Sequence, residues 1–380
     1  MDAKPFISSY KNKYEPAKPI TRFWGSLESK MSASFQIRDR IIQPGNPVYV
    51  IAEMSANHNQ DFDQAVRILC AAKECGADAV KLQTYTPDTL TIPSNRDYFK
   101  IKGGTLWDGR TLYELYQSAY MPWDWYPKLK KVAEDLDLDL FSTAFDSSSV
   151  DFLEEMNVPI HKIASFELVD LPLIEKAAST GKPLILSTGM ATLAEIDEAV
   201  RTARRAGAPQ LALLKCVSAY PAPPEEMNLR TIPHLAEAFG VVAGLSDHTD
   251  GFTVPVAAVA LGALMVEKHF TLSRGDGGPD SSFSLEPAEL KSMVEAIRIA
   301  EKAVGSVQYT LQEKEAQSQV FRRSLFVVKS MKEGDRFTEE NIRSIRPAHG
   351  LAPKYLPDVL GRHAAEAIPE GTPLSWRLVQ

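Results

Sequence analysis

Three lysines interrupt apolar runs, where a lysine is disfavoured: Lys81 in Ala79-Val80-Lys81-Leu82-Gln83, Lys162 in Ile160-His161-Lys162-Ile163, and Lys215 in Leu211-Ala212-Leu213-Leu214-Lys215-Cys216. Hydroxyls close several runs of the same kind, among them Thr143, Ser165, Ser187 and Ser246. Lysine supplies a point charge and hydroxyls supply directed donors. Lys81 and Lys162 converging with these hydroxyls make a pocket for an anion such as a phosphate. The competing reading pairs each lysine with a carboxylate such as Glu53 or Glu167. His248 and His269 end two successive runs. Two adjacent imidazoles can hold a divalent metal, with Glu53, Asp247 or Glu267 joining or orienting them. The alternative is two hydrogen-bonded histidines and no metal. His58, in Ala56-Asn57-His58-Asn59, is either a third reactive group or a helix-cap element. His161, His234, His349 and His363 read as structural or surface residues.

The elements that carry these residues repeat. Short apolar runs at 48–53, 79–83, 140–143, 160–165, 184–188, 211–216, 241–246 and 264–269 alternate with helical patterns. Strands alternating with helices mean βαβ units and a parallel sheet. From Asp63 to Cys75, Ala65, Ile68, Leu69 and Ala72 share one helical face, and Gly76 stops it. Thr192-Leu193-Ala194-Glu195 is a capping box opening a helix over Ala194–Ala206, and Glu286-Pro287 opens another that Gly305 closes. Eight such units predict a (β/α)8 barrel, whose chemistry sits at the C-terminal ends of its strands. A doubly wound sheet is the alternative, weakened because no Gly-rich fingerprint follows the first strand. Two long connections, Pro87 to about Trp125 and Ser273 to Ser284, have the length of lids or binding loops.

The rest of the chain frames this barrel. Residues 1–34 mix Lys, Pro, Ser and aromatics without a period and lack the apolar core of a secretory signal. They read as a poorly ordered extension or a start assigned ahead of Met31; the alternative is an arm pinned by Phe23 and Trp24. The barrel takes 35–305. Residues 306–320 read as a linker, and 321–380 as a small, mostly β domain punctuated by prolines. The 380 residues are 44% hydrophobic and 24% charged, ordinary globular composition. The net charge of -7 speaks against a nucleic-acid or anionic-membrane binder, so an anionic ligand needs a local basic cluster. No apolar stretch reaches the roughly 18 residues of a membrane span. Cys70, Cys75 and Cys216 are odd in number and form no CxxC, as expected of free thiols in a reducing cytoplasm.

In this order the motifs resemble the bacterial nonulosonic (sialic) acid synthase family, a TIM barrel followed by a C-terminal antifreeze-like (SAF) domain. The resemblance rests on Ile51-Ala52-Glu53 with Asn57-His58-Asn59, Gly76 to Thr84, Lys162-Ile163-Ala164-Ser165-Phe166-Glu167, Leu186-Ser187-Thr188-Gly189-Met190, Gly244-Leu245-Ser246-Asp247-His248-Thr249, and Glu267-Lys268-His269-Phe270. Within the family, Ser55 to Phe62, Leu106 to Tyr113 and Lys215 to Pro223 are most similar to the pseudaminic branch. Sialic acid synthases typically carry His where Lys215 stands and Asn where Ser218 stands.

The resemblance implies a phosphoenolpyruvate-dependent transferase. It condenses phosphoenolpyruvate with an open-chain amino sugar, 2,4-diacetamido-2,4,6-trideoxy-L-altrose in this branch, releasing phosphate by C–O cleavage. The alternatives are a neuraminic or legionaminic acid acceptor, or a non-catalytic sugar-binding barrel. It further implies a divalent metal (Mn, Mg or Co) at His248 and His269. Glu53 would act on the attacking water, assisted by Asp247. Lys81, Thr143, Lys162, Ser165, Ser187, Lys215, Ser218 and Ser246 would hold or border phosphoenolpyruvate, and Gln83, Glu167 and Tyr220 would face the sugar, whose C6 methyl would meet Trp107. Arg346, in Ser344-Ile345-Arg346-Pro347, would reach the acceptor in the partner subunit of a domain-swapped homodimer.

Overall fold

The computed structural model describes residues 33–380. Of the anticipated N-terminal extension only Ala33 and Ser34 fall within this range; Phe23, Trp24 and Met31 lie outside the described residues. The chain divides after Gly305 into two compact units.

The first unit opens with an antiparallel hairpin, β1 (Phe35–Ile37) and β2 (Arg40–Ile42). Eight parallel strands then close into a barrel: β3 (Tyr49–Glu53), β4 (Ala79–Thr84), β5 (Asp139–Ala144), β6 (His161–Ile163), β7 (Leu184–Ser187), β8 (Leu211–Cys216), β9 (Val242–Asp247) and β10 (Met265–His269). They stand in chain order, and β10 closes the ring on β3. Helix α1 (Phe62–Glu74) follows β3; α2 (Pro87–Leu90) and α3 (Leu112–Ala119) lie in the long connection that ends in α4 (Tyr126–Asp135). Helices α5 (Ser147–Glu155), α6 (Leu171–Ser179), α7 (Leu193–Arg205), α8 (Thr231–Phe239), α9 (Thr253–Ala260) and α10 (Pro287–Val304) follow the remaining strands in turn.

Local chemistry sets these boundaries. Asp61 caps α1 by accepting from the backbone N–H groups of Asp63 and Gln64. Thr192 and Glu195 form the reciprocal capping box of α7. Gly76, at φ +88°, takes the left-handed turn that ends α1.

Successive strand residues point to opposite faces, so each strand feeds two apolar layers. Ile51, Ala79, Phe141, Ile185, Leu214 and Met265 fill the barrel interior together with Phe35, Ile37 and Ile42 of the hairpin. Val50, Val80, Leu140, Leu186, Leu213, Leu245 and Val266 face outward against the helices. The hairpin was not anticipated as an element. It closes the N-terminal end of the barrel, where Arg40 pairs with Asp78 and Tyr49 Oη donates to Asp139 Oδ2 at 2.7 Å. The opposite end carries the polar residues, and the same parity decides which of them face the interior.

The second unit runs from Ser306. It has two short helices, α11 (Glu313–Ser318), which is exposed, and α12 (Leu356–Val359), and an antiparallel pair, β11 (Ser324–Val327) with β12 (Ile342–Ile345). Isolated bridges such as Met331 with Ile368 and Ala364 with Val379 tie the remaining loops around Leu325, Val327, Phe337, Ile342, Val359 and Leu374.

Candidate active site

Residues of Ile51 parity converge at the C-terminal mouth: Glu53 from β3, Lys81 and Gln83 from β4, Thr143 from β5, Lys162 from β6, Ser187 from β7, Cys216 from β8, Ser246 and His248 from β9 and its end, and Glu267 and His269 from β10. They enclose an inner cavity of about 60 Å³, with Ser165 and Tyr220 also on its wall. Lys81 Nζ lies 2.8 Å from Glu53 Oε2 and 3.7 Å from Glu267 Oε1, and donates to Thr143 Oγ1 at 2.9 Å. Lys162 Nζ donates to Ser187 Oγ at 2.7 Å and to Glu267 Oε2 at 3.0 Å. Ser246 Oγ donates to Glu267 Oε1 at 2.9 Å.

Both sequence readings of the lysines therefore meet in one place: they are carboxylate-paired, and they line a cavity with the predicted hydroxyls. Two buried lysines face two buried carboxylates, so the floor is charge-balanced. A multiply charged anion entering it must be accompanied by a proton or a cation, because an unpaired buried charge is expensive. Burial pushes the Glu53 carboxyl up to about 7 against the pull of Lys81, and Glu267 adds to the rise. Glu267 also resists ionisation through burial, but Lys162 and Lys81 overcome this and hold it at about 2. The two carboxylates thus divide into a permanent anion and a group poised near neutrality, a separation used in acid–base chemistry.

The histidines stand side by side, ring centroids 5.2 Å apart. His248 Nδ1 lies 2.9 Å from the Val217 carbonyl, which sets this nitrogen as a donor and turns Nε2 away from that contact. His269 Nδ1 is buried without a hydrogen-bond partner. Burial, with the charges of His248 and Lys81, holds His269 well below the usual histidine range, as the neutral ligand form requires. Among the described residues no group of three or more His, Cys, Asp or Glu is placed to hold a metal.

The inner cavity shares Gln83, Phe145, Ala164, Phe166, Tyr220 and His269 with an outer one of about 450 Å³. The outer wall is largely apolar, with Tyr85, Leu90, Ile101, Trp107, Leu112, Leu115 and Tyr116 contributed by the β4 strand end and the long connection after it. Trp107 Nε1 donates to the Pro279 carbonyl at 3.0 Å, so the two long connections meet over this cavity. Polar groups here are few. Gln83 Nε2 donates to Glu53 Oε1 at 2.9 Å and to Ser55 Oγ at 2.8 Å, and Ser55 in turn donates to Asp280.

Glu167 lines the outer cavity with a buried Oε2 that has no partner. Burial pushes its carboxyl from the ordinary 4.5 up to about 7. The folded state therefore binds this proton more tightly than the unfolded chain. The group is neutral to stability below its unfolded value, becomes increasingly destabilising as pH rises from about 4.5 to about 7, and levels off above that, at about 1–3 kcal/mol in full. Glu167→Gln should match wild type in urea unfolding near pH 4.5 and exceed it at pH 8. An equal gain at both values would mean the carboxylate is not the source.

Other expected residues stand outside the inner cavity. Asp247 does not line the cavity. Its parity is that of Leu245, and its carboxylate is taken by Lys268 Nζ at 2.6 Å and by Thr249 Oγ1 at 3.0 Å, which leaves it nothing to do for a water. Lys215 shares the outward parity of Leu213 and donates to the Cys216 carbonyl at 3.1 Å; the inward position is Cys216. Ser218 does not line the inner cavity and stands beside Gly189. A Cβ on Gly189 would lie 2.5 Å from Ser218 Oγ and 2.7 Å from Ser165 Oγ, which explains the glycine. His58 is buried as a turn element: its Nδ1 accepts from the Gln60 N–H at 3.0 Å. Arg346 is exposed in the second unit, one residue past β12. Sequence reasoning did not single out Cys216 or Asp280, and it raised Glu267 only as a companion of the histidines.

Comparison with known proteins fits this geometry. Residues 68–309 match the NeuB family, and residues 322–380 match the SAF domain. The chain is 49% identical over 330 residues to the pseudaminic acid synthase of Helicobacter pylori, covering 87% of this chain and 97% of that one. It is 45% identical over 327 residues to the pseudaminic acid synthase of Campylobacter jejuni subsp. jejuni serotype O:23/36, covering 86% and 95%. Among solved structures, the N-acetylneuraminic acid synthetase of Leptospira borgpetersenii aligns with a TM-score of 0.68 at 31% identity, over 76% of this chain and 96% of that one.

Proposed function

The chain belongs to the NeuB family, and from that premise we propose that it condenses phosphoenolpyruvate with 2,4-diacetamido-2,4,6-trideoxy-L-altrose to give pseudaminic acid and phosphate. The observation that carries this is the pair of joined cavities: a floor of lysines, hydroxyls and imidazoles opening into a larger, apolar chamber. A small, multiply charged anion suits the first. A sugar with a methyl in place of a hydroxyl, and with acetamido methyls, suits the second, because apolar walls pack against methyl groups and offer a hydroxyl no partner. The similarity to two pseudaminic acid synthases supports the same acceptor.

Lys81 and Lys162 hold the anionic groups of phosphoenolpyruvate, with Thr143, Ser165, Ser187 and Ser246 as directed donors. Gln83, Glu167 and Tyr220 orient the acceptor so that its aldehyde carbon faces the phosphoenolpyruvate methylene. The methylene carbon bonds the aldehyde carbon as the carbonyl π pair moves onto oxygen, which takes up a proton to become a hydroxyl, and the cation left at C2 takes up water. Glu53 accepts the proton of that water, and phosphate then leaves with its bridging oxygen. His248 and His269 fit a divalent cation, standing side by side with ring nitrogens that face no other protein donor, and Mn, Mg and Co are the candidates. Such a cation supplies Lewis-acid polarisation of the aldehyde and the positive charge that the balanced floor lacks.

The deciding experiment incubates the protein with Mn²⁺, phosphoenolpyruvate and either the altrose sugar or N-acetylmannosamine, reading phosphate release and product mass with a chelator control. Turnover of the altrose sugar alone is expected, and the chelator should abolish it. Turnover of N-acetylmannosamine instead would move the protein to the sialic acid branch.

The homodimer, and the contact of Arg346 with the acceptor held by the partner's barrel, belong to the same proposal and rest on the family resemblance. Arg346→Ala should raise KM for the sugar at least tenfold more than KM for phosphoenolpyruvate, the worth of roughly one charge-assisted hydrogen bond. Equal rises would count against a sugar contact. No helix among the described residues is long and apolar enough to cross a membrane, and a cytoplasmic location agrees with the cytoplasmic supply of phosphoenolpyruvate.

A further inference from the structure

We propose that Lys268 is a positioning residue for the histidine pair: its ammonium ties together the two residues on either side of His248 and so fixes that imidazole beside His269. The inference rests on the metal reading of these histidines given above.

Parallel pairing between β9 and β10 ends at Lys268 opposite Asp247. His248 and His269 each lie one residue beyond that last pair. His269 is still held on its other side, where β10 pairs with β3 through His269 and Glu53. His248 has no such ladder. Its carbonyl accepts from the Ala222 N–H at 2.9 Å and its Nδ1 donates to the Val217 carbonyl, and to these ties is added the fully buried Lys268 side chain on the outer face of the barrel wall. Its Nζ lies 2.6 Å from Asp247 Oδ2 and also donates to the Thr249 carbonyl. Thr249 Oγ1 reaches both Asp247 oxygens at 3.0 Å, and the Thr249 N–H donates to Oδ1 at 3.3 Å. Residues 247 and 249 are thus clamped to one cation projecting from the residue before His269. His248, between them, is turned to the interior.

An ion pair buried this deeply is weak evidence for stability, since packed apolar side chains often do as well or better. Its worth here is geometric. Ligand atoms need to be held within about 0.5 Å, and outer groups that orient them typically change metal affinity roughly 10–100-fold when removed.

The test is Mn²⁺ affinity of the full-length, chelator-treated protein, by electron paramagnetic resonance of free Mn²⁺, with melting temperature recorded beside it. Lys268→Met should weaken Mn²⁺ binding roughly 10–100-fold. Because it strands the Asp247 charge, Lys268→Met/Asp247→Leu is measured too; this variant has no unpaired charge and should melt near wild type while binding Mn²⁺ as weakly. Thr249→Val keeps both charges paired and loses only the hydroxyl tie, so a smaller, several-fold weakening is expected. A double variant with wild-type melting and wild-type Mn²⁺ affinity would overturn the positioning role and leave the metal reading intact, as would unchanged affinity in Thr249→Val. If wild-type protein binds no Mn²⁺, the metal reading falls and this inference falls with it.

Discussion

Glu53→Gln should lower turnover about 10³-fold, within the range of 10²–10⁴ that a positioned acid–base group supplies, while KM for phosphoenolpyruvate changes little. Gln keeps the size of the side chain and one acceptor oxygen; because Lys81 and Gln83 contact different Glu53 oxygens, one of those contacts and the negative charge beside Lys81 are lost together with the ability to take a proton, and Lys81 retains Glu267 and Thr143. Glu53 suits that task better than Glu267. Burial lifts Glu53 to about 7, where a base is both deprotonated enough to act and basic enough to matter, whereas Lys162 and Lys81 hold Glu267 at about 2. The measurement is steady-state phosphate release with melting temperature as a control. Near-normal turnover in Glu53→Gln would remove Glu53 from the role of base and leave the water to be activated by another group.

The barrel was legible because its strands recur as short apolar runs between helices with capping and stop signals, and those signals are local. The roster of site residues was legible in part, because lysine inside an apolar strand is anomalous wherever it occurs. What the strands did not disclose is which way each polar residue points. In a half-exposed sheet, hydropathy alternates and gives parity away. Barrel strands bury both faces, so Leu213 and Leu214 look alike though one faces the helices and the other the interior. Lys215 and Asp247 are both of this kind: each is outward by a single residue, and Cys216 and His248 hold the inward places. Asp280 escaped notice for another reason. It sits in a loop, where no period exists, and only the fold brings it to Ser55. The hairpin β1–β2 was hidden by its brevity, three residues to a strand.

Lys162→Met should raise KM for phosphoenolpyruvate about 10²–10³-fold, the loss expected when one partner of a buried, hydrogen-bonded charge contact is truncated. The same change should destabilise the protein by about 3–5 kcal/mol, because Glu267 is left as a buried anion with only the more distant Lys81 and the Ser246 hydroxyl. Those two effects have different origins and can be separated. Lys162→Met/Glu267→Gln removes the stranded charge along with the lysine, and its melting temperature should return most of the way to wild type. Its KM for phosphoenolpyruvate should not return, because the point charge that faces the anion is still missing. KM for the sugar serves as the internal control: it should move far less, since Lys162 lines the inner cavity and not the outer one. A double variant that regains both stability and phosphoenolpyruvate affinity would reduce Lys162 to a counter-ion for Glu267, and the anion would then have to be held by Lys81 and the hydroxyls alone.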